Sequence, residues 1–257
     1  MNAAERLARD GFVVCAPDPR VADWAAEARR AAEEVLAEAR GHKGALRHGE
    51  TWFAGVDALP NAPDGSIGGV PLTGPWEAAV NWPGRWHRAQ VSAVFPGYPG
   101  RDPQESDAAH RFRLRRDAAH LDGLLPEGPD RRRHLREPHA FILGLPLNPA
   151  APGASPLVVR EGSHRIMAAA MAARLSGMAP DKWGAQDVTE AYGAARRTVL
   201  ETCPRREVPL LPGQSVLVHR HAIHGVAPWA RGAWVEGGAR MVAYFRPVLG
   251  DPADWLA

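Results

Sequence analysis

Paired cysteines are missing from this chain. Cys15 and Cys203 are the only two in 257 residues, and neither belongs to a Cys-x-x-Cys spacing, which excludes a disulfide framework and a cysteine-built zinc site. Reduced thiols and a cytoplasmic location are the expectation. No stretch approaches the roughly 20 continuous apolar residues that a membrane helix requires, and Met1 to Asp10 is mixed polar and charged, so no membrane span and no signal peptide are expected. Charge of one sign is also scarce, the formal net charge being only +2. Even the arginine-dense stretch from Arg101 to Ala140 sets nine arginines against eight acids. That is a solvated mixed-charge surface rather than a groove for a polyanion, and no nucleic-acid partner is expected.

Proline and glycine are plentiful, with 24 and 26 residues. Neither sits comfortably in helix interiors, so many loops and short strands are expected, giving a mainly β core with flanking helices. A hydrophobic content of 45% and a charged content of 23% are those of a globular protein. There is no internal repeat and no Gly/Ser-rich linker, so residues 1–257 are read as one domain. It has an N-terminal helical flank over 1–42, a β core over roughly 86–248 and a helical insertion over 165–203.

Helical spacing of Ala3, Leu7 and Ala8 predicts a short helix stopped by Gly11, followed by a strand at Phe12–Cys15. Asp18-Pro19 opens a longer helix whose apolar face runs through Val21, Trp24, Ala25, Ala28, Ala32, Val35, Leu36 and Ala39. Lys43 to Trp86 is irregular and carries isolated aromatics such as Trp52, Phe53, Trp76 and Trp82, which either wall a pocket or simply pack. Ala89–Phe95 alternates, with Gln90, Ser92 and Val94 on one face, and could line a wet cavity or lie half exposed. A polar connection then leads to the region of His120. Further strands are expected at Pro138–Leu147, Pro156–Val159, Glu207–Leu211, Gln214–His219 and Arg240–Phe245, with helices at Ile166–Leu175 and Asp187–Leu200.

The stretch that organises the chain is Ala118-Ala119-His120-Leu121-Asp122-Gly123. On a strand, residues two apart share a face, so His120 and Asp122 would present an imidazole and a carboxylate together. These are two-thirds of the two-histidine, one-carboxylate set that holds non-haem Fe(II) with open positions. Composition alone predicts about one His-x-Asp/Glu match, so the pair needs context. The second match, His48-Gly49-Glu50, falls in the irregular region and is set aside. A third ligand is available in Pro212–Gly225, which carries His219, His221 and His224, the last followed by Gly225.

With these segments in order, the chain resembles the phytanoyl-CoA dioxygenase family of Fe(II)/2-oxoglutarate-dependent oxygenases. The resemblance spans nearly the whole chain. It is carried by His120-Leu121-Asp122-Gly123, by Glu161-Gly162-Ser163-His164-Arg165 in place of a Pro-Gly-Ser-His segment, and by Pro212-Gly213 leading to His224-Gly225. It implies a double-stranded β-helix of the cupin, jelly-roll kind. It also implies iron bound by His120, Asp122 and His224, a 2-oxoglutarate carboxylate bound by Arg240 with help from Gln90, and O2 as the oxidant. A small-molecule substrate would be hydroxylated while 2-oxoglutarate is decarboxylated to succinate. Retention of Asp122 favours hydroxylation over halogenation, because related halogenases lack that carboxylate. Arg246 is the competing arginine and His219 the competing ligand, whereas His139 and His164 are expected to be structural. Two departures stand out: Val226 replaces a small polar residue, and Pro228–Gly238 is inserted before Arg240, where it could cap the pocket. The alternative is a cupin-like metal- or ligand-binding protein without oxygenase activity.

Overall fold

The computed structural model describes residues 1–257. Asn2 caps helix α1 (Ala3–Asp10), and Gly11 ends it at φ 82°, a backbone angle that glycine adopts without strain. Strand β1 (Phe12–Cys15) follows directly. Asp18 caps α2 (Pro19–Arg40), whose residues Val21, Trp24, Ala25, Ala28, Ala32 and Leu36 are buried, as the spacing predicts. The irregular section contains two short strands that periodicity could not reveal, β2 (Leu46–Arg47) and β3 (Trp52–Gly55). Next comes β4 (Gln90–Val94).

The polar connection after β4 holds a helix, α3 (Asp107–Arg116), with Ser106 as its N-cap. It buries no residue fully, so it has no apolar stripe to betray it in sequence. A hairpin of β5 (Leu124–Glu127) and β6 (Arg132–Leu135) was equally hidden by its charge. Strands β7 (Phe141–Pro146) and β8 (Leu157–Arg160) lead into α4 (Ser163–Leu175) and α5 (Thr189–Thr202). The chain closes with β9 (Arg205–Val208), β10 (Ser215–His219), β11 (His224–Val226) and β12 (Arg240–Phe245). The expected strand at Glu207–Leu211 is thus shifted toward Arg205.

Seven strands form one sheet in the order β1-β10-β7-β12-β4-β3-β2, and β11-β8-β9 form a second; all pairings are antiparallel. Alternation sorts the large sheet's side chains. Ile142, Val216 and Val218 meet Leu157, Val159 and Val208 of the small sheet. On the opposite face Leu143, Leu145, Leu217, Met241 and Phe245 pack under α2. Fully burying side chains of this size stabilises by about 1.5–3 kcal/mol each, so this layer is a main anchor of the fold. Trp24 donates its indole N–H to Gly65 O at 2.9 Å, tying the irregular section over the helix. Trp82 and Trp86 stack edgewise on Phe141 and Phe245, and Trp76 is buried with them. These tryptophans are packing residues. A third core joins α4 and α5 to Ala119, Leu121, Ile223 and Trp255. No helix is long and apolar enough to cross a membrane.

Candidate metal centre

The His120 segment is not the strand that the sequence suggested. Asp117 and Ala118 have φ of 58° and 51°, so the chain turns just before His120. Only His120 pairs in sheet fashion, with His224. The His120 N–H donates to His224 O at 2.8 Å, and the His224 N–H returns to His120 O at 3.1 Å. One antiparallel pair places the two imidazoles side by side, with ring centroids 4.9 Å apart. Asp122 then turns its carboxylate toward both rings.

Three fastenings hold this pair in register. Asp117, whose side chain is 2% exposed, receives Arg205 Nε at 2.9 Å and Nη2 at 2.7 Å, with Arg160 Nη2 at 3.5 Å. Gly225 lets the two segments touch, because a Cβ there would lie 2.1 Å from Asp117 O. Ser163 Oγ accepts the Ile223 N–H at 2.9 Å in the buried core, immediately before His224. This last bond gives the Gly-Ser-His motif a physical role: its serine secures the backbone that carries a candidate ligand. His164 anchors the same turn to α1, with Nε2 2.9 Å from Ala8 O. Sequence reading missed Asp117, which lies in the stretch read as a mixed-charge surface, and Arg160 and Arg205, which belong to no recognisable motif.

His120, Asp122 and His224 each offer an atom within 4.8 Å of the others. Asp122 Oδ1 lies 2.9 Å from His120 Nε2, and Oδ2 lies 3.7 Å from His224 Nε2. Both Nδ1 atoms face a backbone carbonyl 3.0 Å away, Ala118 O for His120 and Ala222 O for His224. A carbonyl only accepts, so each Nδ1 carries a proton, and each Nε2 faces the carboxylate as the atom where a metal ion would take the place of a proton. Burial pushes the Asp122 carboxyl up, but His224 and His120 outweigh it and hold it well below the ordinary carboxylate range. Burial pushes His224 down, yet Asp122 raises its net pKa. The centre therefore favours positive charge between these groups. Two neutral nitrogen donors and one hard oxygen donor, pre-aimed in this way, fit a divalent transition-metal ion.

The centre opens on a cavity of about 140 Å³ whose walls include Trp52, Gln90, Ser92, Tyr244 and Arg246. Gln90 and Ser92 are the polar stripe of β4, so this strand lines a cavity rather than an outer surface. Trp52 is the one tryptophan of the irregular section on the cavity wall, held by its indole N–H to Ser92 Oγ at 3.1 Å. Ile142, Leu157, Val218 and Val226 supply apolar wall.

The two arginines of β12 and its end have different surroundings. Arg246 Nη2 donates to Gln90 Oε1 at 2.7 Å, and its Nη1 is 3.4 Å from Asp122 Oδ2. Arg240 does not line the cavity. It is 8% exposed at the other end of the strand, no carboxylate pairs with it, and its Nη1 is buried without a hydrogen-bond partner.

The remaining histidines lie elsewhere. His219 is half-buried beside buried His221 and His164, its ring centroid 5.5 and 4.9 Å from theirs, and burial pushes both His219 and His221 down to about 3. His139 pairs with Glu137 at 3.2 Å. His48 does not pair with exposed Glu50; it meets Asp102 and Glu105 instead. The inserted segment Pro228–Gly238 contributes nothing to the cavity wall, contrary to the expectation of a cap. It is stitched to the neighbouring turn by Ala230 N–H to Gly153 O at 2.9 Å and Ala151 N–H to Trp234 O at 2.9 Å. Arg29 of α2 holds its end through Glu236 at 2.7 Å.

No family model and no curated protein sequence matches this chain. Solved structures do match. The non-heme alpha ketoglutarate dependent carbocyclase SnoK from nogalamycin biosynthesis is 15% identical, with a TM-score of 0.50 over 96% of this chain and 87% of that one. The epimerase SnoN in complex with Fe3+, alpha ketoglutarate and nogalamycin RO is 17% identical, with a TM-score of 0.50 over 95% and 82%. The likeness is one of fold.

Proposed function

We propose that this chain is a non-haem Fe(II)/2-oxoglutarate-dependent oxygenase of the phytanoyl-CoA dioxygenase type, built on a double-stranded β-helix and hydroxylating a small molecule. The observation that carries the reading is the convergence of His120 Nε2, His224 Nε2 and the Asp122 carboxylate within 4.8 Å at a cavity wall. When bound, iron and 2-oxoglutarate supply O2 activation and substrate oxidation, with 2-oxoglutarate decarboxylated to succinate. The chain's own residues hold and orient. His120, Asp122 and His224 are the metal ligands, and Ala118 O and Ala222 O set the imidazole tautomer. By the family pattern Arg240 is assigned the far carboxylate of 2-oxoglutarate, although it stands outside the cavity wall that Arg246 lines. A buried guanidinium without a partner is costly, and a planar carboxylate satisfies it through two hydrogen bonds. Gln90 and Ser92 give the substrate polar contacts, while Trp52 and the aliphatic wall exclude water. The fold likeness to SnoN, whose structure holds Fe3+ and alpha ketoglutarate, supports the same assignment.

The test is anaerobic addition of Fe(II) and 2-oxoglutarate to metal-free protein. The visible charge-transfer band of the iron–keto-acid chelate is expected in the wild type and absent in His120→Ala. Arg240→Ala should retain iron while requiring far more 2-oxoglutarate for the band. Iron binding without a band in the wild type would support the metal-binding alternative instead.

A further inference from the structure

We infer that Arg246 is a positioning residue for the Asp122 carboxylate, holding one of its oxygens so that the other is offered to the metal. The inference rests on the metal-site reading above. The carboxylate is surrounded unequally. Oδ1 faces only His120 Nε2, at 2.9 Å, whereas Oδ2 is shared between His224 Nε2 at 3.7 Å and Arg246 Nη1 at 3.4 Å. The permanent charge of Arg246 thus acts on one oxygen and leaves the other bare of any cationic side chain except the ligand imidazole.

Arg246 is itself braced from two sides. Its Nη2 donates to Gln90 Oε1 at 2.7 Å, which stops the guanidinium from swinging away from Asp122. Its backbone N–H donates to His87 Nε2 at 2.7 Å, and His87 Nδ1 is fixed by Arg88 O at 2.6 Å and Asp57 Oδ1 at 3.0 Å. The side chain is only 20% exposed, so both bonds are sheltered from competing water. A carboxylate anchored on Oδ2 binds a cation through Oδ1 alone and keeps another coordination position open. Gln90 belongs to this brace. Its carbonyl end is used by Arg246, so its influence on the metal passes through the arginine. The same geometry separates the two arginines: Arg246 has its fork engaged inside the protein, and Arg240 has its fork free.

Cobalt(II) is the probe, since it needs no O2 and its visible bands report coordination number. Wild type, Arg246→Leu, Arg246→Lys and Gln90→Leu are titrated with Co(II), with thermal midpoints and 2-oxoglutarate affinities measured beside them. Loss of an outer partner of a metal ligand weakens binding about 10–100-fold. Arg246→Leu is expected to lose affinity on that scale and to change the Co(II) band intensity as Asp122 turns bidentate. Arg246→Lys should recover part of both, and Gln90→Leu should move both in the Arg246→Leu direction by a smaller factor. The inference is overturned if folded Arg246→Leu or Gln90→Leu keeps the wild-type Co(II) affinity and spectrum. It is equally overturned if Arg246→Leu loses 2-oxoglutarate affinity with Co(II) binding untouched, which would make Arg246 the cosubstrate anchor. Failure of the wild type to bind Co(II) would instead sink the metal-site reading, and this inference with it.

Discussion

Two clusters of histidine and carboxylate sit near Trp52, and they differ in what already engages their carboxylates. Around His48, the carboxylates are already served: Asp102 accepts the His48 N–H at 3.1 Å and the Gly49 N–H at 2.7 Å, and Glu105 pairs with Arg113. His48 stacks on Trp52 with ring centroids 5.4 Å apart, and burial, followed by Arg113, lowers its pKa. Around His120, the hydrogen bonds run the other way. Backbone carbonyls occupy both Nδ1 atoms, and the two Nε2 atoms and the Asp122 carboxylate face one another. Similar residue types become a fold-holding ion-pair network in one place and a candidate ligand set in the other. The deciding factor is which atoms the backbone has already satisfied.

The largest expected effect breaks this comparison directly. His224→Ala should abolish Co(II) or Fe(II) binding, while His48→Ala should leave metal stoichiometry at the wild-type value. Equilibrium dialysis with metal analysis reads both, and metal loss in His48→Ala would erase the distinction. Next in size is the fastening at Asp117. Asp117→Ala strands buried Arg160, frees exposed Arg205 and should cost about 3–5 kcal/mol in a denaturant titration. Its metal affinity should fall with it, because the turn before His120 loses its anchor. A stability change below about 1 kcal/mol would show that the network is not what holds the pair in register.

The smallest effect, taken per pH unit, concerns acid stability. His219 and His221 are pushed down to about 3 by burial, against about 6.5 in the unfolded chain. The unfolded state therefore binds more protons than the folded one between these values. Stability is full above about pH 6.5 and falls as the pH drops toward 3, by up to about 1.4 kcal/mol per pH unit for each histidine. His224, raised by Asp122, contributes with the opposite sign: its stabilisation is present below pH 6.5 and is lost as the pH rises through its folded value. Urea midpoints across this range should show the acid-side decline, shallower in His221→Phe. An unchanged slope in that variant would remove His221 from the account.

Much of this was legible in the chain itself. The α2 stripe, the alternation of β4 and the apolar run of β7 each follow from spacing and residue type. His120-x-Asp122 and His224-Gly225 were proposed as a ligand set through resemblance to a family, and the fold brings them together, although the strand assumed for His120 is in fact a turn with a single bridge. The misses have two causes. α3 and the β5–β6 hairpin have no periodic apolar stripe to mark them, and the Asp117–Arg205 fastening joins charged residues 88 positions apart. Local pattern carries no information about such partners.

Sequence by itself determined which residue types could form a ligand set and in what order they occur, because period and motif are local properties. Tertiary structure alone decided the rest. It turned Arg246 toward Asp122 and left Arg240 buried without a partner, though both lie on one face of β12 and its continuation. It also drew Pro228–Gly238 away from the cavity by pairing its backbone with residues 149–153. The physical reason is common to both. A polar group acquires its role from whichever partners the packed chain brings within hydrogen-bond reach, and those partners come from distant segments.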